Sequence, residues 1–118
     1  MKTREYENWF ECTGLHVCVS VGNLFTELED APNTFTTCID ATYDSGCQWS
    51  GEALLTVNKD GTVTTDWRFL EDGLTDEGGD PLDVSDLSEQ EATADIDALA
   101  RLALESASEW LARVVNAD

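Results

Sequence analysis

The sequence is poor in basic residues and has no long apolar stretch. It contains 6 Lys and Arg residues against 25 Asp and Glu residues, so its formal net charge is −19. No run of about 18 apolar residues occurs, which argues against a transmembrane helix. The first residues, MKTREYENWFECTG, also lack the apolar segment of a secretory signal. We therefore expect a cytoplasmic protein.

The residues and motifs of common catalytic sites are also scarce. His16 is the single histidine, and the sequence has no G-x-S-x-G turn, Walker loop or G-x-G-x-x-G loop. Carboxylates are so abundant that any pair of them is a weak indication of acid–base catalysis. The sequence therefore predicts a protein that is not an enzyme, with no catalytic residues and no cofactor.

Two groups of residues have metal-binding chemistry but not the spacing of a known metal motif. The first group combines thiols with an imidazole, as zinc sites do: Cys12, His16, Cys18 and Cys38. The second group is the set of acids between residues 72 and 86, which lacks the alternating order of an EF-hand loop. We predict no metal site. We expect the four cysteines, including Cys47, to be free thiols, because the cytosol is reducing.

Residues 1–70 show the alternation of apolar and polar residues that is typical of strands with one buried face. The pattern predicts strands over residues 15–21, 33–44, 48–57 and 61–70. Asn58-Lys59-Asp60-Gly61 predicts a hairpin turn, since Gly61 can adopt a positive φ. Residues 1–12 favour an edge strand over a helix. The connection over residues 22–33 is predicted to contain a helical turn around Leu24, Phe25 and Leu28.

The last third of the chain predicts a loop and then a helix. Residues 71–87 are rich in Gly and Asp and contain Pro81, which indicates a long acidic loop. Ser88 and Glu91 have the spacing of a capping box at the start of a helix over residues 88–116. Its apolar stripe has helical spacing: Ile96, Leu99, Ala103, Ala107, Trp110, Leu111 and Val114.

These elements together predict one α+β domain over residues 1–118. It consists of an antiparallel β-meander of four to five strands (1–70), the acidic loop (71–87) and a long C-terminal α-helix (88–116) packed on one face of the sheet. The aromatic residues on the buried side of the alternation are expected in the core: Trp49, Trp67, Phe69 and Trp110.

The face of the sheet away from the helix is predicted to be rich in threonine and carboxylates. Alternation places these residues on it: His16, Cys18, Thr34, Thr36, Cys38, Asp40, Thr42, Glu52, Thr56, Thr62, Thr64, Asp66 and Arg68. Such a face is by default a solvated surface. It can also be a binding surface, because a flat array of carboxylates resembles the phosphates that Lys and Arg side chains contact in DNA.

The negative charge continues beyond the sheet. Between Arg68 and Arg101 the sequence has 11 acids and no base. We therefore assign partner binding to acids of the sheet and the loop: Asp40, Glu52, Asp66, Asp72, Asp76, Glu77, Asp80, Asp83 and Asp86. The expected partner is a basic nucleic-acid-binding protein or complex. Nucleic acids and anionic membranes are not expected as partners, because both are polyanions.

A small, strongly acidic chain with a meander, one helix and no catalytic motif resembles the DNA-mimic inhibitors carried by phages and mobile elements. This class includes anti-CRISPR and anti-restriction proteins. The resemblance is one of size, acidity and the lack of catalytic motifs, and it carries over no functional residue. It implies a non-catalytic inhibitor that blocks the DNA- or RNA-binding surface of a defence complex inside an infected or element-carrying bacterium.

The charge is also compatible with two further classes of protein. An immunity-type protein would bind a basic toxin through charge steering and a buried aromatic anchor, for which Trp9 and Phe10 are the candidates. A halophile's cytosolic protein would also be acidic and poor in lysine, because high salt screens the repulsion. Lys2 and Lys59 are the only lysines, but four cysteines are more than we expect of such a protein.

Overall fold

The protein folds into an antiparallel sheet followed by a C-terminal helix, as a computed structural model shows for residues 3–27 and 33–117. The strands are β1 (Thr3–Tyr6), β2 (Phe10–Thr13), β3 (Val17–Val21), β4 (Leu24–Glu27), β5 (Thr34–Tyr43), β6 (Gln48–Val57) and β7 (Val63–Thr75). A 3-10 turn (Val84–Asp86), helix α1 (Glu89–Ala92) and helix α2 (Ile96–Ala117) follow. An α+β architecture is therefore confirmed. In the described ranges no helix has the length and apolarity to cross a membrane.

The predicted count of four to five strands is wrong, because the edge strand predicted over residues 1–12 is two strands and the connection predicted over residues 22–33 contains a further strand. Residues 7–9 separate β1 from β2, and residues 22–23 separate β3 from β4. β3 and β4 pair with different parts of one edge of β5, and β2 and β1 pair outside them. β6 and β7 extend the sheet from the other edge of β5. Of residues 1–12 the structure describes 3–12, and its two short strands there confirm the preference for strand over helix.

The helical turn predicted around residue 25 is a strand instead. Leu24 and Thr26 are almost fully buried, whereas Phe25 between them is 36% exposed. This alternation is that of a strand with one buried face, and the hydrogen bonds to β1 and β5 form on either side of it. Leu28, the third residue of the predicted turn, lies outside the described residues.

The core lies between one face of the sheet and α2. The strands bury alternate residues, with Leu74 at the end of β7: Val17, Val19, Val21, Phe35, Ile39, Ala41, Tyr43, Ala53 and Leu55. The helix buries Ala100, Ala103, Leu104, Ala107 and Leu111 against them. Alanine at three of these five positions lets α2 lie close to the sheet. The predicted stripe therefore lies on the correct face of the helix. Its first members, Ile96 and Leu99, are only partly buried, whereas Ala100 and Leu104, which were not in the predicted stripe, are fully buried.

The pairing of β6 with β7 contains a large bulge. The register passes from Gly51 opposite Phe69 to Trp49 opposite Leu74, so residues 70–73 of β7 oppose a single residue of β6. The indole Nε1 of Trp49 donates a hydrogen bond of 2.7 Å to the Leu70 carbonyl inside this bulge. Beyond the bulge β7 continues to residue 75, so the loop predicted over residues 71–87 begins five residues later than expected.

The predicted helix over residues 88–116 is split by residues 93–95. The capping box at its start is confirmed, since the Ser88 hydroxyl accepts from the Glu91 N–H and the Glu91 carboxylate accepts from the Ser88 N–H. α1 ends after about one turn, where the Thr93 hydroxyl donates to a carbonyl of that turn. Asp95 then accepts from the N–H three residues later, which begins α2.

Ser88→Ala is expected to lower the free energy of unfolding by about 1 kcal/mol, because it removes the side-chain acceptor that caps α1. Ser85→Ala is the matched control, since Ser85 is an exposed serine of the preceding 3-10 turn. Urea denaturation of both variants measures the difference from the shift in midpoint at constant slope. Equal stability of the two variants would contradict a capping role for Ser88.

Candidate protein-binding surface

Three candidate acids form a diagonal across the open face of the sheet. Asp40 of β5, Glu52 of β6 and Asp66 of β7 lie on adjacent strands, each displaced by two residues from the position directly opposite. Diagonal neighbours of this kind are about 7–8 Å apart. The side chains of Glu52 and Asp66 are exposed, and Asp40 is half-buried. The alternation therefore placed these three carboxylates on the correct face.

The middle charge of the diagonal is paired with a base. The Arg68 Nε donates a hydrogen bond of 2.8 Å to the Glu52 carboxylate across β6 and β7. The same face also exposes Leu54 (41%) and Phe25 (36%). Neither residue was predicted there, although Leu54 has the outward position of its strand. The open face is therefore less negative and more apolar than the sequence predicted.

The candidate acids of the loop lie at one end of the sheet. A Cβ on Gly46, in the turn between β5 and β6, would come within 2.9 Å of the Glu77 Cβ. The adjacent Ser45 hydroxyl donates a hydrogen bond of 2.5 Å to Glu91 of α1. The loop and the start of the helical region are therefore gathered beside this turn. We call the acids of this region the acidic end: Asp44, Asp76, Glu77, Asp80, Asp83, Asp86, Glu89, Glu91, Asp95 and Asp97.

The nine candidate residues do not form one continuous patch. Asp66 lies opposite Leu54, six residues along β6 from the strand end at Gln48, and this separation corresponds to about 20 Å. Asp40 is closer to the acidic end, since it is two residues from Thr42, the last residue of β5 that pairs with β6. Asp72, predicted in the loop, is an exposed residue of the β7 bulge.

Three of the loop carboxylates are fixed by hydrogen bonds to nearby backbone. Asp76 Oδ1 accepts from the N–H groups of Gly78 and Asp80, both at 2.9 Å. Asp83 and Asp86 form a reciprocal capping box around the 3-10 turn. Such bonds hold the carboxylates in position, so less conformational entropy is lost when they bind a partner. Asp83 and Asp86 also remain exposed to solvent.

The turn between β2 and β3 changes which residues share a face. His16 has a φ of 67°, and Leu15 beside it is 84% exposed. The third strand therefore begins at Val17 and not at residue 15. The His16 Nδ1 lies 3.2 Å from an Asp44 carboxylate oxygen, which places the imidazole next to the acidic end and not on the flat open face.

The same turn separates the thiols of the candidate zinc group. Cys12 lies opposite the buried Val19, on the face covered by the helix, whereas Cys18 lies opposite Thr42 on the open face. Within the described ranges no group of three or more His, Cys, Asp or Glu residues has the geometry to hold a metal ion, and this includes the candidate calcium ligands of the loop. All four cysteines are free thiols.

The aromatic residues divide differently from the prediction. Trp9 is 66% exposed, with its indole N–H donating to Glu11 at 3.1 Å, as expected of a candidate anchor. Phe10 is partly buried, because its ring packs against that of Trp110 at a centroid distance of 6.0 Å. The four aromatic residues that were predicted in the core pack against it but keep exposed surface: Trp49, Trp67, Phe69 and Trp110.

The charge of the acidic end determines what it can attract. No Lys or Arg occurs between Arg68 and Arg101, so the 11 acids of this interval have no base among their sequence neighbours. Such a surface attracts basic proteins and repels nucleic acid. Comparisons with protein-family models, with curated proteins and with solved structures found no match for the chain.

Proposed function

We propose that the protein is a non-catalytic inhibitor of a bacterial defence complex, of the anti-CRISPR or anti-restriction type. It binds the surface with which the complex contacts DNA or RNA. The acidic end is the observation that supports the proposal most, because it concentrates carboxylates around the β5–β6 turn and fixes several of them by hydrogen bonds. The proposed partner-binding residues remain the nine acids predicted from the sequence.

The physical basis is competition for the same basic side chains. Double-stranded DNA presents one negative charge for every 1.7 Å or so of its axis, and its binding proteins place Lys and Arg opposite these charges. A folded surface of fixed carboxylates can occupy the same side chains. Charge attraction also accelerates the encounter of the two proteins, most strongly at low salt. Inhibition by this route is stoichiometric and requires no turnover.

The two groups of acids have different parts in the proposal. The acidic end supplies the dense negative charge. On the open face, Asp40 and Asp66 extend this charge along the sheet, while Glu52 is partly neutralised by Arg68. The exposed Leu54, directly opposite Asp66, adds an apolar contact, of the kind that protein interfaces place among charges.

A plating assay tests the proposal directly. The protein is expressed in bacterial strains that each carry one CRISPR or restriction system, and phage plating is compared with that on matched strains without the system. We expect plating to be restored in at least one defended strain and unchanged in its undefended match. For that system, the purified protein should also prevent the defence complex from shifting labelled DNA in a gel. Unrestored plating across the whole panel, with folded protein present in the cells, would contradict the proposal.

A thermal melt distinguishes a binding role for the charge from adaptation to brine. We expect a cooperative transition by circular dichroism in about 0.1 M KCl as well as in about 3 M KCl, because the buried sheet–helix core outweighs the repulsion between surface acids. A higher melting temperature in the concentrated salt is compatible with this expectation. A chain that is unfolded at the lower concentration and folded at the higher one would favour adaptation to brine instead.

Arg68→Gln is expected to strengthen inhibition by up to about fivefold, because it frees the Glu52 carboxylate from a surface ion pair worth at most about 1 kcal/mol. Arg101→Gln is the matched control, since it changes the net charge equally from an exposed position on α2, away from the open face. The concentration for half-maximal inhibition of DNA binding measures both. Equal gains in the two variants would indicate that net charge matters and the open face does not.

A further inference from the structure

A cavity of about 570 Å³ opens between the β6–β7 corner of the sheet and residues 84–97. Its sheet side is formed by three aromatic rings, in which Phe69 lies 5.9 Å from Trp49 and 6.0 Å from Trp67 between centroids. These rings keep exposed surface because α2 packs chiefly against β2 and β3. The opposite side is apolar and includes Val84, Leu87 and Ile96.

A fixed carboxylate borders the same cavity. Glu91 accepts hydrogen bonds from the Ser45 hydroxyl at 2.5 Å and from the Ser88 N–H at 3.2 Å. These bonds, above all the one from Ser45, hold the pKa of Glu91 below its usual range, so the carboxylate is charged at neutral pH. Burial, reinforced by the charge of Glu91, raises the pKa of the neighbouring Tyr43, whose phenol therefore stays neutral. Asp97 adds a second carboxylate to the lining.

The one base among the lining residues does not neutralise these acids. Arg68 borders the cavity, but it lies opposite Glu52 on the other face of the sheet, and its guanidinium is bonded there. The cavity therefore combines aromatic surfaces with negative charge, and the one Lys or Arg among its described lining residues is paired with a carboxylate outside it. This combination favours a positively charged group that is also able to lie flat against an aromatic ring.

We propose that the cavity binds one arginine side chain of the basic protein that the acidic surface recognises. A guanidinium stacks on tryptophan and directs its N–H groups to a carboxylate, whereas the ammonium of lysine is compact and strongly hydrated. The volume lies within the range of about 300–1,000 Å³ that is typical of ligand pockets. That the arginine belongs to a basic partner protein rests on the proposed function. The preference of the cavity for a guanidinium does not rest on it.

The test uses N-acetyl-arginine amide as the probe and the neutral N-acetyl-citrulline amide as its isostere. In ¹H–¹⁵N spectra the four tryptophans give four indole signals, of which those of Trp49 and Trp67 report on the cavity and those of Trp9 and Trp110 are internal controls. We expect the arginine compound to shift the first pair with a dissociation constant of about 1–10 mM, as for a single side chain. Equal shifts with the citrulline compound would overturn the proposal.

Two variants identify the groups responsible. Glu91→Gln is expected to weaken binding of the arginine compound about fivefold, because it removes the charge while its amide oxygen can still accept a hydrogen bond from Ser45. Glu105→Gln, an equal change of charge at an exposed position of α2 outside the cavity lining, should leave binding unchanged. Trp67→Leu removes one aromatic face but keeps an apolar side chain, and it should weaken binding as seen at the Trp49 signal. Unchanged binding in both Glu91→Gln and Trp67→Leu, with native circular dichroism, would overturn the proposal.

Different results contradict the cavity proposal and the proposed function. Indole shifts of Trp49 and Trp67 that depend on protein concentration alone would identify a second copy of the chain as the occupant and overturn the proposal. Selective binding of the arginine compound supports the cavity's preference even where phage plating is not restored, in which case only the proposed function is contradicted. Restored plating without arginine binding would contradict the cavity proposal alone.

Discussion

Neutralising four acids of the loop is expected to abolish inhibition and leave the fold intact. The variant combines Glu77→Gln, Asp80→Asn, Asp83→Asn and Asp86→Asn. The asparagines at residues 83 and 86 keep oxygen acceptors for the 3-10 turn, so the local structure should survive. If each carboxylate contributes about 0.7 kcal/mol to binding, the four changes weaken affinity by about 100-fold. Titration of DNA-binding inhibition, with a melt to verify folding, measures the loss.

The control for this variant removes the same number of charges elsewhere. This control combines four changes of exposed acids in the N-terminal strand region and in α2: Glu5→Gln, Glu7→Gln, Glu105→Gln and Glu109→Gln. We expect inhibition to fall by less than about fivefold, as for a general loss of long-range attraction. Full inhibition by the loop variant would remove the acidic end from the proposed interface. Equal losses in the two variants would show that only the total charge matters.

Gly51→Ala is expected to destabilise the protein by about 3 kcal/mol, which lowers the melting temperature by roughly 10 °C. Gly51 is buried at the point where β6 meets the bulge of β7. A Cβ there would overlap the Arg68 carbonyl oxygen and come within 2.9 Å of Ile39 Cγ2 and Phe69 Cα. Because two of these three contacts are with backbone, the strands would have to separate to accept the methyl group.

Gly22→Ala is the matched control for this change. Nothing lies within 4 Å of a Cβ built on Gly22, and its φ is not positive. The substitution should therefore leave stability unchanged or raise it by up to about 1 kcal/mol, through the lower entropy of the unfolded chain. Calorimetric melts of both variants measure the comparison. A Gly51→Ala variant as stable as Gly22→Ala would show that the bulge can relax around a side chain.

The sequence predicted the regular middle of the sheet well. Burial alternates along β5 and over residues 51–55 of β6, and the turn between β6 and β7 has Gly61 at a φ of 89°, as its sequence requires. Leu54 is the exception, since the sequence did not predict an exposed apolar residue on the open face. An apolar residue in an outward position does not show whether a neighbouring side chain covers it. The acids of the diagonal were placed correctly by the same alternation, since register and pleat determine the face of a strand residue.

Irregular positions limited the rest of the prediction. His16 has a positive φ, which its residue type alone does not indicate. The sequence therefore predicted Cys12 and Cys18 on one face of the sheet, whereas the turn at His16 places them on opposite faces. The bulge at residues 70–73 depends on a distant indole donor, Trp49, so local sequence could not show that β7 continues to residue 75. The aromatic cavity was missed for a related reason: alternation identifies the covered face but not how far the helix extends over it.

The bulge of β7 also matters for how copies of the protein meet one another. In the described ranges β7 pairs with β6 alone among the strands, so its outer side is an edge of the sheet. A flat edge is a template on which further strands add, and aggregation follows. Four residues inserted against one bend this edge and interrupt its row of N–H and carbonyl groups. Glu71 and Asp72 are exposed within the same interruption, so a second copy approaching this edge meets like charge as well as a broken template.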